Sequence, residues 1–326
     1  SMDNDELNGA VVDGKSAGSS RSEYNNEGYF VRAQYDYANR IFFSASYRRD
    51  ASSRFHPDHR WGNFWSVGGG WLLNSEPWFN LRWVDMLKVK ASIGSQGNDN
   101  ISDYLYTDMY SITNSDGEIG VKRGSIGNKD ITWETNTNFN AGFEARLFNR
   151  LTLNADFFIK ETKDMIYSRP LAPSAGSPAS QLVNDIDMKN TGIEFELAVD
   201  IIKNQNLVWN VSLNGTHYKN ELTKLPSDKT DPTRYPDGYQ SGSYWRKLGG
   251  SLYDFYLYEW AGVDDATGLP LYNKYVKDEN GVETVTLVNT SSEATLRQTG
   301  KSALPKFYGG FTTSLSTYGF DFSAAF

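Results

Sequence analysis

A chain of 326 residues with a formal charge of −8 is long enough for one large core or for several domains. No basic stripe interrupts the acidity, which excludes nucleic acid as a partner, because neutralising phosphates takes clustered Lys and Arg. Cysteine is absent, and disulfides and thiolate chemistry are excluded with it.

The hydrophobic fraction is 39% and the mean hydropathy −0.57, yet aromatic residues reach 14%. Polar chains that stay disordered are poor in aromatics, and this one is not. A wide barrel with a wet interior needs both properties. No apolar run approaches the 18 or so residues of a helical span, but a barrel strand needs only about 9–11 alternating residues. Residues 1–20 carry no signal-peptide pattern. For an outer-membrane protein, the chain would then begin downstream of the true start.

Residues 1–22 are rich in Gly, Ser, Asn and Asp and are expected to be a loop or a ragged end. From there the hydrophobic pattern has period two. Val31, Ala33, Tyr35 and Tyr37 oppose Arg32, Gln34 and Asp36, and a tight turn at Ala38-Asn39 leads to Ile41, Phe43, Ala45 and Tyr47 opposite Phe42, Ser44, Ser46 and Arg48. A charged loop over residues 49–60 precedes an arm over 61–73 that holds Trp61, Trp65, Trp71 and three consecutive glycines. After a medium connection, Leu87, Val89, Ala91 and Ile93 alternate with Lys88, Lys90, Ser92 and Gly94. A long connection over residues 96–130 follows.

The clearest alternation runs over residues 133–147, with Trp133, Phe139, Ala141, Phe143 and Leu147 on one face and Glu134, Asn138, Asn140 and Glu144 on the other. It is longer than a typical soluble strand. Phe148-Asn149-Arg150 turns it into Leu151, Leu153, Ala155, Phe157 and Ile159. Residues 165–187 read as a Pro, Ser and Ala loop. Ile193, Phe195, Leu197 and Val199, a turn at 203–206, and Trp209, Val211 and Leu213 come next. Residues 221–249 are a long loop, and 251–261 and 269–276 are expected strands joined by the turn at Asp264–Gly268. Residues 278–304 form a last long loop with its own hairpin near Glu279-Asn280-Gly281. Phe311, Thr313 and Leu315 then lead through Tyr318-Gly319 to Phe320, Phe322 and Ala324, and the last strand is expected to be unfinished.

Short turns near residues 38, 148, 204, 266 and 319, with a slightly longer one near 78, alternate with long loops near 10, 55, 113, 176, 235 and 290. Strands of alternating direction therefore place all long connections at one end, as in bacterial outer-membrane barrels. The count that satisfies this parity is about twelve strands. In a soluble β-sandwich the apolar faces would instead form a dry core. Strand length, loop asymmetry and aromatics near strand ends favour the membrane barrel, with Tyr35, Tyr37, Trp61, Trp71, Trp133, Phe148, Trp209 and Tyr218 as candidates for its interfacial girdles.

Residues 40–79, with the block RRDASSRF at 48–55, and MLKVKASIGSQGN at 86–98 resemble the signature region of the SusC/RagA family of TonB-dependent outer-membrane transporters. The stretches at 131–167, NTGIEFELAV at 190–199, YEWAGVDDATGLPLY at 258–272 and residues 304–323 extend the resemblance in family order. It implies an all-β antiparallel transmembrane barrel of about 22 strands around a plug, with a SusD-like surface lipoprotein as lid. The implied activity is import of oligosaccharides or peptides, energised by TonB through an N-terminal part. Residues 23–326 would be a C-terminal portion of the barrel, without the plug and unable to transport alone. The alternative is a soluble β-rich carbohydrate-binding module or a β-sandwich enzyme.

No nucleophile, base and orienter trio stands out, and neither an enzyme nor a cofactor is expected. His56-Pro57-Asp58-His59 has too few ligands for a metal clamp and is expected to be a solvated loop. His217 is expected to pack or to lie at the interface. Asp264–Gly268 lacks the terminal Glu of a calcium loop and reads as a turn; Lys122 and Arg123 read as a solvated face. Arg48, Asp50 and Arg54 enter the first long loop, where they would line the lumen or pair with the plug. Tyr104, Tyr106, Tyr110, Tyr239, Tyr244 and Trp245 are loop aromatics for stacking on substrate or for docking the lid.

Overall fold

The computed structural model describes residues 22–115 and 118–326; the expected N-terminal loop lies, except for Ser22, outside them. In chain order, β1 (Asn26–Tyr37), β2 (Ile41–Ser52), β3 (Trp61–Leu72) and β4 (Val84–Asn98) come first, followed by a hairpin of β5 (Met109–Ser115) and β6 (Glu118–Ser125). The long strands β7 (Glu134–Leu147), β8 (Leu151–Pro170), β9 (Ser180–Lys203) and β10 (Leu207–Lys224) come next. An excursion then carries β11 (Tyr239–Ser241), β12 (Tyr244–Arg246), β13 (Asp254–Tyr258), β14 (Trp260–Val263), β15 (Pro270–Lys277), β16 (Glu283–Val288) and β17 (Leu296–Ser302). Strands β18 (Tyr308–Thr317) and β19 (Phe320–Ala325) complete the series. Among the described residues no helix is long and apolar enough to cross a membrane.

Ten strands make one antiparallel sheet in the order β1-β2-β3-β4-β7-β8-β9-β10-β18-β19. Its register carries single faces across many strands. Ala33, Ala45, Val67, Ile93, Phe139 and Ile159 are successive cross-strand partners, and so are Tyr37, Ile41, Trp71, Val89, Phe143, Ala155 and Phe195. These rows form the apolar face, and they do not converge on a core: Phe157 is 40% exposed and Phe195 39%. A soluble sandwich would bury them. On β8 the apolar row from Leu151 to Ile159 gives way to Glu161 and Lys163, and on β9 the row from Val199 to Ile193 gives way to Thr191 and Lys189. The apolar band thus spans about the 9–11 residues that a tilted strand needs to cross a bilayer, with charge directly above it.

Short connections gather at one end. Ala38 and Asn39, Phe148 and Asn149, and Tyr318 and Gly319 are consecutive residues with positive φ, the backbone that matches a tight turn to the right-handed twist of its strands. Aromatics mark this end: Tyr37, Trp71, Trp78, Trp83 and Phe148 are exposed, and Trp83 stacks on Phe148 at 5.5 Å. Two expected girdle residues belong elsewhere. Trp133 packs inward against Phe55 and Phe64, while Tyr218 partners Gly192 on the polar face.

The two strands expected over residues 251–261 and 269–276 are not in the ten-stranded sheet. They form β13, β14 and β15 of two small sheets, because β10 pairs directly with β18 from Thr216↔Tyr308 to Leu207↔Thr317. Removing both strands together leaves the parity of long and short connections intact, which is why alternation alone did not reveal the error. The expected hairpin near Gly281 is present, with Gly281 N donating to the Asp278 carbonyl at 3.0 Å. The expected loop over 165–187 is mostly ladder, since β8 and β9 stay paired out to Pro170↔Ser180.

Candidate functional site

The polar face is lined by strands whose inward residues face a concavity. Cross-strand partners run Gln34, Ser44, Gly68, Ser92, Asn140, Phe158 and Gly192, and beside them Asp36, Phe42, Gly70, Lys90, Gly142, Asp156 and Glu194. A concavity of about 750 Å³ lies on these rows, with contributions from β1 to β4 and from β7 to β9. At its centre the Lys90 ammonium bridges Glu144 and Asp156 at 3.1 Å each. Gly142 stands between Lys90 and Asp156 in register. A Cβ there would fall 2.3 Å from Asp156 Oδ1, so only glycine leaves the carboxylate room to reach across two strands. Alternation had put Lys90 and Glu144 on the polar face; their meeting required the register.

Towards the long-loop end a second concavity of about 690 Å³ is lined by Phe30, Arg48, Asp50, Phe64, Gln96 and Trp133 among others. Arg48 and Asp50 satisfy each other along β2, with Nε to Oδ2 at 2.6 Å. Arg54, expected to line the lumen or to pair with a plug, has partners within this chain. It donates to Asp103 Oδ1 at 3.0 Å and the Asp99 carbonyl at 2.9 Å and covers the Tyr24 ring at 4.4 Å, clamping the loop after β4 to the start of β1. Trp133 Nε1 donates to the Arg60 carbonyl at 3.0 Å, and its ring meets Phe55 and Phe64 at 5.2 and 5.3 Å. The end of the Phe64 ring occupies the space beside Gly97, where a Cβ would come 2.0 Å from it.

The loop aromatics divide. Tyr110 is 57% exposed on β5. Tyr104 has φ 63° and its hydroxyl accepts the Glu23 N–H at 3.1 Å; Tyr106 meets His56 edge-on at 5.9 Å. Tyr239 and Tyr244 correct the expectation of exposed rings. Tyr239 is buried at 6% exposure, and Tyr244 stacks on Phe255 and meets Tyr253 edge-on. Trp245, one residue on, points the opposite way because side chains alternate along β12.

The excursion is tied to the long strands by Asp185, a buried residue on β9 above the apolar band. Its carboxylate accepts the Ser227 N–H at 2.8 Å, the Ser227 hydroxyl at 2.7 Å and Arg169 Nη2 at 2.9 Å, with Lys224 at 3.3 Å. Burial works against its charged form, and these donors more than offset that, holding the carboxyl below its usual range. Beside it, Ile186, Leu222 and Leu252 form a small buried cluster.

His56 caps the short helical turn Pro57–His59 and His59 ends it, and the two face different carboxylates, Asp58 at 3.3 Å and Asp130 at 3.7 Å. Among the described residues no group of three or more His, Asp or Glu is placed to hold a metal. His217 Nδ1 contacts the Lys306 carbonyl. Asp264 accepts the N–H groups of Ala266 and Thr267 at 2.9 Å, which makes the segment a turn. Arg123 pairs with Asp108 at 3.4 Å.

The family described as "TonB dependent receptor-like, beta-barrel" matches residues 2–325. TonB-dependent receptor P39 of Formosa agariphila is 31% identical over 240 residues, covering 72% of this chain and 22% of that protein. TonB-dependent receptor SusC of Bacteroides thetaiotaomicron is 30% identical over 273 residues, covering 79% of this chain and 27% of that protein. A structure of the RagAB peptide importer in the "closed-closed" state superposes with a TM-score of 0.81 at 28% identity, over 95% of this chain and 34% of that one. The chain therefore spans about a quarter of the curated relatives' length and a third of the solved chain. The apolar band, the polar concave face and these matches agree: the chain belongs to the TonB-dependent receptor β-barrel family, in its SusC/RagA branch, and is an outer-membrane β-barrel chain.

Proposed function

We propose that the whole protein is a TonB-dependent importer that carries oligosaccharides or peptides across the outer membrane into the periplasm. The observation that supports this best is the likeness over 95% of the chain to a peptide importer, joined to a concave face of Lys, Asp, Glu, Asn and Ser that suits a wet, plugged interior. The ten-stranded sheet is then part of a closed barrel of about 22 strands. A plug and the segment that engages TonB lie in the part of the relatives' length that this chain does not span. A SusD-like lipoprotein covers the long-loop end, where Tyr104, Tyr106 and Tyr110 contact either lid or substrate. Arg48 and Asp50 face plug or substrate at the mouth. Transport of this kind is binding followed by a change of accessibility, and it asks no covalent chemistry of these residues.

The test is uptake. Deleting the gene, or deleting TonB, abolishes uptake of a labelled oligosaccharide or peptide that the parent strain imports, and the wild-type gene restores it. Unchanged uptake in the deletion, or recovery of the full-length protein from the soluble fraction without detergent, would rule the importer out.

A further inference from the structure

The excursion between β10 and β18 contains a four-stranded sheet in the order β11-β12-β13-β17, and its two faces differ. Tyr239, Tyr244 and Phe255 share the packed face. On the other face Gln240 partners Trp245, and Tyr256 partners Gln298, with the Trp245 and Tyr256 rings 4.7 Å apart. Trp245 walls two depressions. One, of about 400 Å³, has Lys229, Arg234, Tyr235 and Gln240 around it. The other, of about 310 Å³, has Tyr256, Tyr275, Arg297 and Gln298.

We propose that this face is an oligosaccharide-binding groove with two subsites that share the Trp245 ring. The inference rests on the importer reading and names its substrate class. A pyranose ring offers a flat C–H face and a rim of hydroxyls, so it is held by an aromatic plane edged with planar polar groups. That is the composition here. Three of the rings are held before a ligand arrives: Trp245 Nε1 donates to the Asp237 carbonyl at 2.7 Å, Tyr235 lies under Lys229 and Arg234 at 5.0 and 5.3 Å, and Tyr275 lies under Arg297 at 4.0 Å. Arg297 is held in turn by Glu283 at 2.9 Å, and Gln298 by Asp237 at 3.3 Å. Rigid rings lose little entropy on binding. Both volumes fall at the lower end of small-ligand sites. Apolar peptide side chains would ask for aliphatic walls, and the linings supply only Pro236 and Leu296 besides their rings.

The full-length protein, purified in detergent with its lipoprotein, is titrated calorimetrically with malto-, cello-, xylo- and mannohexaose and with a tryptic peptide mixture. At least one hexasaccharide binds. Trp245→Ala weakens that binding on the order of tenfold or more, Trp245→Phe keeps it within about threefold because a ring remains, and Tyr244→Phe, on the packed face and outside both depressions, leaves it unchanged. Tyr256→Ala provides a second reading if Trp245→Ala alters the thermal transition. The groove is overturned if no hexasaccharide binds, if binding is indifferent to both alanine variants, if only the peptides lose affinity, or if the variants shed the lipoprotein without touching saccharide binding. Any of these together with TonB-dependent uptake intact leaves the importer standing and removes only the groove.

Discussion

Asp185 shows how one carboxylate holds a long loop to the sheet. Its folded-state carboxyl is depressed, so the stability it contributes is present above its unfolded value of about 4 and is lost as pH falls through the lower folded value. Acidification from pH 7 to pH 3 should loosen residues 225–229 before the strands, as read by amide hydrogen exchange. Asp185→Asn should abolish that acid-sensitive step. It should also cost about 1–2 kcal/mol at neutral pH, a figure kept low because Arg169 and Lys224 are partly open to water. Identical exchange in variant and parent across this range would show that the anchor lies elsewhere. The importance of Asp185 was not legible in the sequence: its donors come from β8, β10 and the loop after it, and nothing local distinguishes it from Asp187.

Among the elements, β7, β8 and β9 carry the division between lipid and water, and a single strand shows both sides of it. Phe157 is on the apolar row and Phe158, its neighbour, is on the polar one opposite Asn140. Phe157→Arg should destabilise insertion by about 2–4 kcal/mol, the cost of a charge near the bilayer midplane, whereas Asn140→Arg should be tolerated. Urea titration of the protein refolded into lipid vesicles measures both, and equal penalties would mean that the faces are assigned wrongly. The alternation of these strands was readable because period two coincides with the pleat. Their true ends were not. Above the apolar band the ladder continues out to Pro170↔Ser180, but the register shifts between Thr162 and Ile166 break the period of two that would announce it.

On the scale of the whole molecule, the excursion hangs from a sheet that is already continuous without it, since β10 and β18 are neighbours. Replacing residues 225–305 by a Gly-Ser linker of about ten residues should leave the protein in the outer membrane with β10–β18 amide protection retained, and should abolish saccharide binding. Loss of membrane assembly in that variant would show that the excursion helps to hold the sheet together. The same arrangement explains the strand count. An aromatic segment such as Asp254–Tyr258 has the composition of a membrane strand, and composition does not say which edge it will meet.

What the sequence determined by itself was the division of faces, the asymmetry of connections and the family, because each is written in local spacing or in contiguous blocks of residues. Tertiary structure alone decided which strands are neighbours, and therefore that Lys90 reaches two carboxylates, that Trp133 turns inward, and that Tyr239 is buried while Trp245 lies on the opposite face of its sheet. The physical reason is that hydrophobic period reports which side of a strand is dry, whereas partner choice depends on the hydrogen-bond register between residues far apart in the chain.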